Sequence, residues 1–313
     1  MAQSKTEIMR VRRSKHEDAD IGRLLSGECV VALDTNILDR LEKNSPPTWL
    51  PEFQRMKNSG VRFVIPDLCV GERIECFTKA CASSIPSMKL KWKQMAKQLD
   101  SIIWRDLPCV PLQGDLFDIV GIKERGVTIS RQDPFTVCKA KKLYQHLHGY
   151  ECSLYNVQKY RVPFEEVIDK KRADWIAAIK KIRQLLNFDA CGDGNGHKIS
   201  KDTLLKLILM VHSANFTFEW LDSSILELPF RFLVERVYDK SYCNPCLGRR
   251  HKNDGLDYLI LYLTMASVNV CSTDRFFAQA RNLGLPQSFC CHTPKTLLEA
   301  WGKGALPRVK VQG

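Results

Sequence analysis

The 313-residue chain has no apolar run long enough to cross a bilayer. Runs such as Leu204-Leu205 and Leu207–Val211 fall far short of the roughly 20 residues a membrane helix needs. No secretory h-region follows Met1; the stretch Met9–Lys15 is polar and basic, so no cleaved leader is expected. Internal repeats and low-complexity tracts are missing too, which excludes a collagen-like or mainly disordered chain. Acidic side chains are in deficit: 35 Asp and Glu stand against 47 Lys and Arg, a formal charge of +12. Such a surplus points to a polyanionic partner, nucleic acid first and an anionic membrane surface second. Cysteine is not scarce. There are 13, an odd number scattered along the chain, which without a leader read as reduced thiols. The expected compartment is the cytoplasm, with the nucleus as the other reducing possibility. An apolar content of 44% and a charged content of 26% are ordinary for a globular protein. The length suits two domains, or one domain with a large insertion.

Periodicity divides the chain. Cys29–Leu33 is a continuous apolar run ending at Asp34, the pattern of a strand buried on both faces. A helix follows from Ile37, and after Pro46-Pro47 a second from Leu50 to Asn58. Gly60 precedes a second buried strand, Val61–Ile65, stopped by Pro66. Strand, helix, strand implies a parallel βαβ unit. Val70 to Arg105 reads as helix split near Pro86, with Met88, Trp92, Met95, Leu99 and Ile102 on one face. Leu107–Leu112, with two prolines, suits a short edge strand. Farther on, Phe164, Ile168, Trp175, Ile179, Ile182 and Leu186 mark an amphipathic helix, and Ser200 caps another running to about Trp220. The α/β pattern returns after residue 250: helix Leu256–Met265, strand Val268–Cys271, helix Arg275–Asn282, strand Ser288–Cys291, helix Pro294–Trp301 with Thr293 as cap.

The carboxylates carry the chemical signal. Asp34 closes the first strand and Asp274 follows the strand Val268–Cys271. Strand C-termini of a parallel sheet share one edge, where ligands bind. Glu72 lies about a turn into the helix leaving the second strand. Asp254 and Asp257, three apart at a helix start, share a face. Carboxylates crowded at one edge raise one another's pKa unless a divalent cation compensates, and oxygen-only ligands select Mg²⁺ or Mn²⁺.

Taken in order, these motifs resemble those of the PIN-domain nucleases. Leu33-Asp34-Thr35-Asn36-Ile37-Leu38 looks like the family's opening motif, Glu72 fits its second acid, and Asp257-Tyr258-Leu259-Ile260 its third. Ser272-Thr273-Asp274-Arg275-Phe276-Phe277 fits the fourth, 17 residues beyond Asp257. The likeness covers about 24–122 and 250–303, including His292–Leu298 at the end. It implies a three-layer α/β/α PIN-like fold with a central parallel sheet of about five strands. The expected parts are a basic arm at 1–23, a first PIN-like part at 24–123, a mainly helical insertion at 124–246, a second PIN-like part at 247–304 and a tail at 305–313. The departure from the family is that insertion, where a short helical stretch is usual.

By the same resemblance the chain is a metal-dependent phosphodiesterase, an endoribonuclease ahead of a nuclease for single-stranded or branched DNA. A non-catalytic PIN-like binding module is the reading from another class. Asp34, Glu72, Asp257 and Asp274 would be the catalytic acids and hold one or two Mg²⁺ or Mn²⁺ ions, with Asp254 the alternative or additional third acid. Thr35, Asn36, Ser272 and Thr273 would orient the carboxylates or a water. The bland alternative is that Asp34 and Asp274 only cap helices. The implied partner is nucleic acid, RNA ahead of DNA, and no membrane; a second copy or a protein partner stays open.

Lys170, Lys171, Arg172 and Lys180 on the insertion helix, and Arg249 and Arg250 beyond it, are candidate phosphate contacts, against the plain alternative of a solvated charged face. Cys243-Asn244-Pro245-Cys246 with His251 lacks a second half at zinc spacing, so ordinary thiols are expected. The loop Asp189–Gly196 lacks the Glu a Ca²⁺ loop needs.

Overall fold

The computed structural model describes residues 21–78, 85–112, 116–117, 121–124, 135–147, 154–186, 199–218, 223–239 and 253–310. Arg249, Arg250, the Cys243–Cys246 turn, His251 and the loop Asp189–Gly196 lie outside them, as does nearly all of the N-terminal arm. Side chains of Phe164 and Ile168 are likewise not described.

The chain is α/β. Strands β1 (Val30–Leu33), β2 (Arg62–Pro66), β3 (Cys109–Val110), β6 (Asn269–Cys271) and β7 (Cys291–His292) form one sheet, in the order β3-β2-β1-β6-β7. Every pairing in it is parallel. β1 is central and fully buried, which is why it reads as an unbroken apolar run rather than an alternating one. β3, flanked by Pro108 and Pro111, sits at the edge, where missing N–H donors do no harm.

Around the sheet, among the described residues, run twelve α-helices. They are α1 (Ile21–Leu25), α2 (Thr35–Leu41), α3 (Leu50–Asn58), α4 (Asp67–Thr78), α5 (Ile85–Asp100), α6 (Val137–Leu147), α7 (Leu154–Leu185), α8 (Lys201–Asn215), α9 (Glu227–Tyr238), α10 (Asp254–Leu261), α11 (Arg275–Arg281) and α12 (Pro294–Gly302). From β1 the sheet grows one way through β2 and β3 and the other way through β6 and β7. Right-handed crossovers in opposite directions place helices on opposite faces, giving three layers. On α5, Trp92, Met95, Leu99 and nearby Ile102 are buried, while Lys89, Lys91, Lys93 and Lys97 are exposed. α12 starts with Pro294 and a reciprocal capping box between Thr293 and Thr296.

Two expected elements differ. The helix after Ser200 stops at Asn215 instead of reaching Trp220, because Phe216–Phe218 leaves it as strand β5 to pair antiparallel with β4 (Ile122–Glu124). Aromatic and β-branched residues with a partner strand prefer that pairing to another helical turn. The expected strand Ser288–Cys291 is a 3-10 turn over Pro286–Cys290, and only Cys291–His292 joins the sheet.

α7, 32 residues long, packs on both α4 and α10 and against α9. Its apolar face buries Trp175 and Ile179, with Ile182 and Leu186 partly covered. No described helix is long and apolar enough to cross a membrane. Cys29, Cys69, Cys109, Cys138, Cys271, Cys290 and Cys291 are free thiols.

Candidate metal centre

The sheet order fixes where the site lies. The order in which strands are added reverses between β1 and β6, and ligands of open α/β sheets bind in the crevice outside the strand carboxyl ends at such a point. Leu33 pairs with Cys271, so the next residues, Asp34 and Ser272, flank the crevice side by side. The Asp34 amide donates to Cys271 O at 3.1 Å.

Asp34 is 2% exposed and both its oxygens are occupied. Oδ1 accepts from Thr35 N at 2.6 Å and from the Cys69 thiol at 3.8 Å; Oδ2 accepts from Ser272 Oγ at 2.7 Å and from Asn36 Nδ2. Asn36 Oδ1 accepts in turn from Thr273 N at 2.8 Å and Thr273 Oγ1 at 3.2 Å. Ser272 Oγ also accepts from Asn36 Nδ2 and from Asp274 N, each at 2.9 Å. Thr35 Oγ1 donates to Glu72 Oε2 at 2.5 Å. The carboxylates of Asp34 and Glu72 are thus joined through Thr35, while Asp274 reaches Ser272 through its backbone amide.

Asp34 and Asp274 also cap α2 and α11, Asp274 Oδ1 accepting from Phe276 N at 2.8 Å. Capping and clustering are therefore not alternatives here. A strand-end Asp opening a helix presents its carboxylate at the sheet edge in either case.

Asp257, on the first turn of α10, lies within electrostatic reach of these acids. Its carboxyl is pushed well above the usual range by burial first, then by the charges of Asp34, Glu72, Asp274 and Asp254. Asp34 is pushed up to about 6; burial is the main cause and Asp274 adds to it, while hydrogen bonds from Ser272, Thr35 and Cys69 oppose it. Burial, then the charges of Asp34 and Glu72, holds the Cys69 thiol protonated, so it acts as a donor. Cys69, one turn before Glu72, is a neighbour that sequence reasoning missed. Its spacing on α4 was the available signal.

Arg73, buried beside Glu72, pairs with Asp39 and Glu42 and lies 6.0 Å over Trp92, tying α4 to α2 and α5. The helix bearing Glu72 is thereby held to the one opening at Thr35.

Asp254 is placed differently. It is buried, and its Oδ2 lies 3.4 Å from Arg236 Nε. It faces a cation of the insertion. Among the basic candidates, Lys170 and Lys180 are exposed and Lys171 is half-buried, its ammonium lowered mainly by burial. Arg172 corrects the expectation of a phosphate-facing side chain: it is 9% exposed and donates to Asn253 Oδ1 and Asp169 Oδ1.

Among the described residues, no three His, Cys, Asp or Glu side chains stand as a ready-made metal cage. The neighbouring acids offer the hard-oxygen ligand type that a divalent ion takes. They are gathered where anions repel one another, and oriented by hydroxyl and amide donors. No family model, curated protein or solved structure matches this chain.

Proposed function

We propose that the chain is a divalent-metal-dependent nuclease of PIN-like type, most simply an endoribonuclease. The observation that supports it is the gathering of Asp34, Glu72, Asp257 and Asp274 at the crevice between β1 and β6. Such a crevice suits a Mg²⁺ or Mn²⁺ ion, which would lower the pKa of a bound water and stabilise charge on a scissile phosphate. Thr35, Asn36, Ser272 and Thr273 hold the acids in place. No Ser or Cys nucleophile is called for; burial keeps the Cys69 thiol protonated and that of Cys271 raised.

The +12 charge fits a polyanionic substrate, with Lys170, Lys171 and Lys180 as phosphate contacts and Arg249 and Arg250 as further candidates by sequence. RNA is put ahead of DNA by the likeness to PIN-domain nucleases. Reduced thiols agree with a cytoplasmic or nuclear setting.

The deciding experiment incubates pure protein with RNA and DNA panels in Mn²⁺, Mg²⁺ and EDTA. RNA cleavage that needs the metal and is lost in Asp274→Asn is the expected result. Metal-dependent cleavage confined to DNA would move the substrate, binding without cleavage would make the chain a non-catalytic module, and undiminished cleavage in EDTA would remove the mechanism.

A further inference from the structure

Three consecutive residues at the start of α10, Asn253, Asp254 and Gly255, are each held by a residue of the 124–246 insertion. Arg172, on α7, donates to Asn253 Oδ1 from Nε at 3.2 Å and from Nη2 at 3.0 Å, while its Nη1 pairs with Asp169 at 3.0 Å. Arg236, on α9, places Nε 3.4 Å from Asp254 Oδ2. Trp175, one turn after Arg172, presses so close that a Cβ built on Gly255 would lie 2.7 Å from Trp175 Cβ and 3.3 Å from Lys171 O.

None of this is needed locally to start the helix. Asn253 stands in the N-cap position, but its backbone is helical and its side chain caps nothing; Oδ1 is turned to Arg172 instead. Nor do the two arginines behave as surface charges. They are 9% and 8% exposed. A buried guanidinium is a poor source of net stability, but one that pairs with several elements at once, as Arg236 does with Asp254, Asp239 and Gln279, ties their relative placement together.

The placement that these contacts fix is that of Asp257, one turn beyond Asn253–Asp254 on the same short helix. Arg236 reaches further: Nη2 donates to Gln279 Oε1 at 2.6 Å on α11, the helix capped by Asp274. Its guanidinium lies 4.6 Å over Phe232 and 5.7 Å over Phe276, which fixes its plane. One side chain of the insertion therefore touches both the helix that carries Asp257 in its first turn and the helix that Asp274 caps.

We propose that Arg172 and Arg236 are positioning residues for Asp257, seating the first turn of α10 so that its carboxylate joins Asp34, Glu72 and Asp274. The inference rests on the metal-site reading above and extends it: the insertion helps assemble the site, and Asp254 serves as the handle by which it does so. Arg172 and Arg236 touch neither metal nor substrate in this scheme; they act through Asn253 and Asp254.

The test is calorimetric Mn²⁺ binding to the full chain for wild type, Arg236→Lys, Arg236→Met and Asn253→Ala, with thermal unfolding in parallel. The expected result is at least tenfold weaker Mn²⁺ binding in Arg236→Met and Asn253→Ala proteins that still unfold cooperatively, with Arg236→Lys recovering only part of the affinity, since an ammonium keeps the charge beside Asp254 but not the planar fork. In turnover assays the Mn²⁺ concentration at half-maximal rate should rise by the same factor, while the rate at saturating Mn²⁺ changes less. An affinity within twofold of wild type in folded Arg236→Met and Asn253→Ala overturns the proposal, leaving both arginines as anchors of the insertion alone. If Arg236→Met does not fold, Asn253→Ala decides by itself, since it removes one acceptor and keeps both cations. Wild-type protein that takes up no Mn²⁺ overturns the metal-site reading and this one with it, a result distinct from wild-type binding with indifferent variants.

Discussion

Ser272 Oγ donates to Asp34 Oδ2 at 2.7 Å, across 238 residues of sequence. The same oxygen accepts from Asn36 Nδ2 and Asp274 N, so a single hydroxyl joins the ends of β1 and β6 and the start of α11. Small disturbances at this point should reach several carboxylates at once.

Removing charge from the cluster should abolish turnover while sparing the fold. Asp274→Asn is the cleaner variant: the side chain is exposed, and an Asn oxygen can still accept from Phe276 N. In Asp34→Asn an amide NH₂ must face donors on one side or the other, so some stability goes as well, about 1–3 kcal/mol. Both variants should lose a hundredfold or more in Mn²⁺-dependent cleavage, about 3 kcal/mol of transition-state stabilisation. Cleavage rates of purified variants, with circular dichroism as the folding control, check this.

The metal-free protein should lose stability as pH rises through about 6. The carboxyl of Asp34 is raised from 3.8 to about 6, and that of Asp257 is raised as well. Native protein therefore holds more protons than unfolded protein above about pH 4, and stability falls with rising pH. For Asp34 alone the loss is on the order of 3 kcal/mol by neutral pH. Mn²⁺ should offset it, so its stabilising effect should be larger at pH 7.5 than at pH 5. Denaturant titrations at the two pH values, with and without Mn²⁺, would show it; an equal metal effect at both would count against the cluster.

Gly255→Ala supplies a test of sign. In an unconstrained helix the change stabilises by about 1 kcal/mol. Here the added methyl would meet Trp175 Cβ at 2.7 Å, a backbone-proximal atom that cannot swing aside. Overpacking of this kind costs about 1–3 kcal/mol, so the melting temperature should fall.

Nucleic-acid binding should depend on salt, and the exposed lysines should set part of the slope. Replacing Lys170, Lys180 and Lys181 with Ala should flatten the fall of log K with log salt in a catalytically silent Asp274→Asn background. Arg172→Ala should act differently, lowering stability by about 1–3 kcal/mol through the lost charge-assisted bonds to Asn253 and the lost packing of a buried side chain, its acceptors being themselves exposed. Fluorescence anisotropy across a salt series separates the two behaviours.

That contrast shows what could be read from residues alone. The sheet and the placement of Asp34 and Asp274 were legible because buried parallel strands are continuous apolar runs, and an acid that ends one marks the sheet edge. The helical period also identified Trp175 and Ile179 as buried. Arg172 was not legible. Its position, four after Ile168 and three before Trp175, puts it on the apolar stripe, but its charge suggests a solvated side chain and its partner Asn253 lies 81 residues away. β5 was missed for the same reason: Phe216–Phe218 continues the apolar tone of α8, and only the distant Ile122–Glu124 makes it a strand. α9, which carries Arg236, gave no separate signal within the long polar and apolar mixture of the insertion.

The central position of β1 beside β6 also sets an order of events during synthesis. Asp34 and Glu72 leave the ribosome early, while Asp257, Asp274 and the strand that must lie against β1 come at least 185 residues later. At about 5–20 residues per second that delay is roughly ten to forty seconds. A nascent chain in that interval has β1 exposed along the side reserved for β6, and only half of its carboxylates. If the cluster cleaves RNA, its own message is then beside it, but the protein becomes able to cut only as the last strands dock.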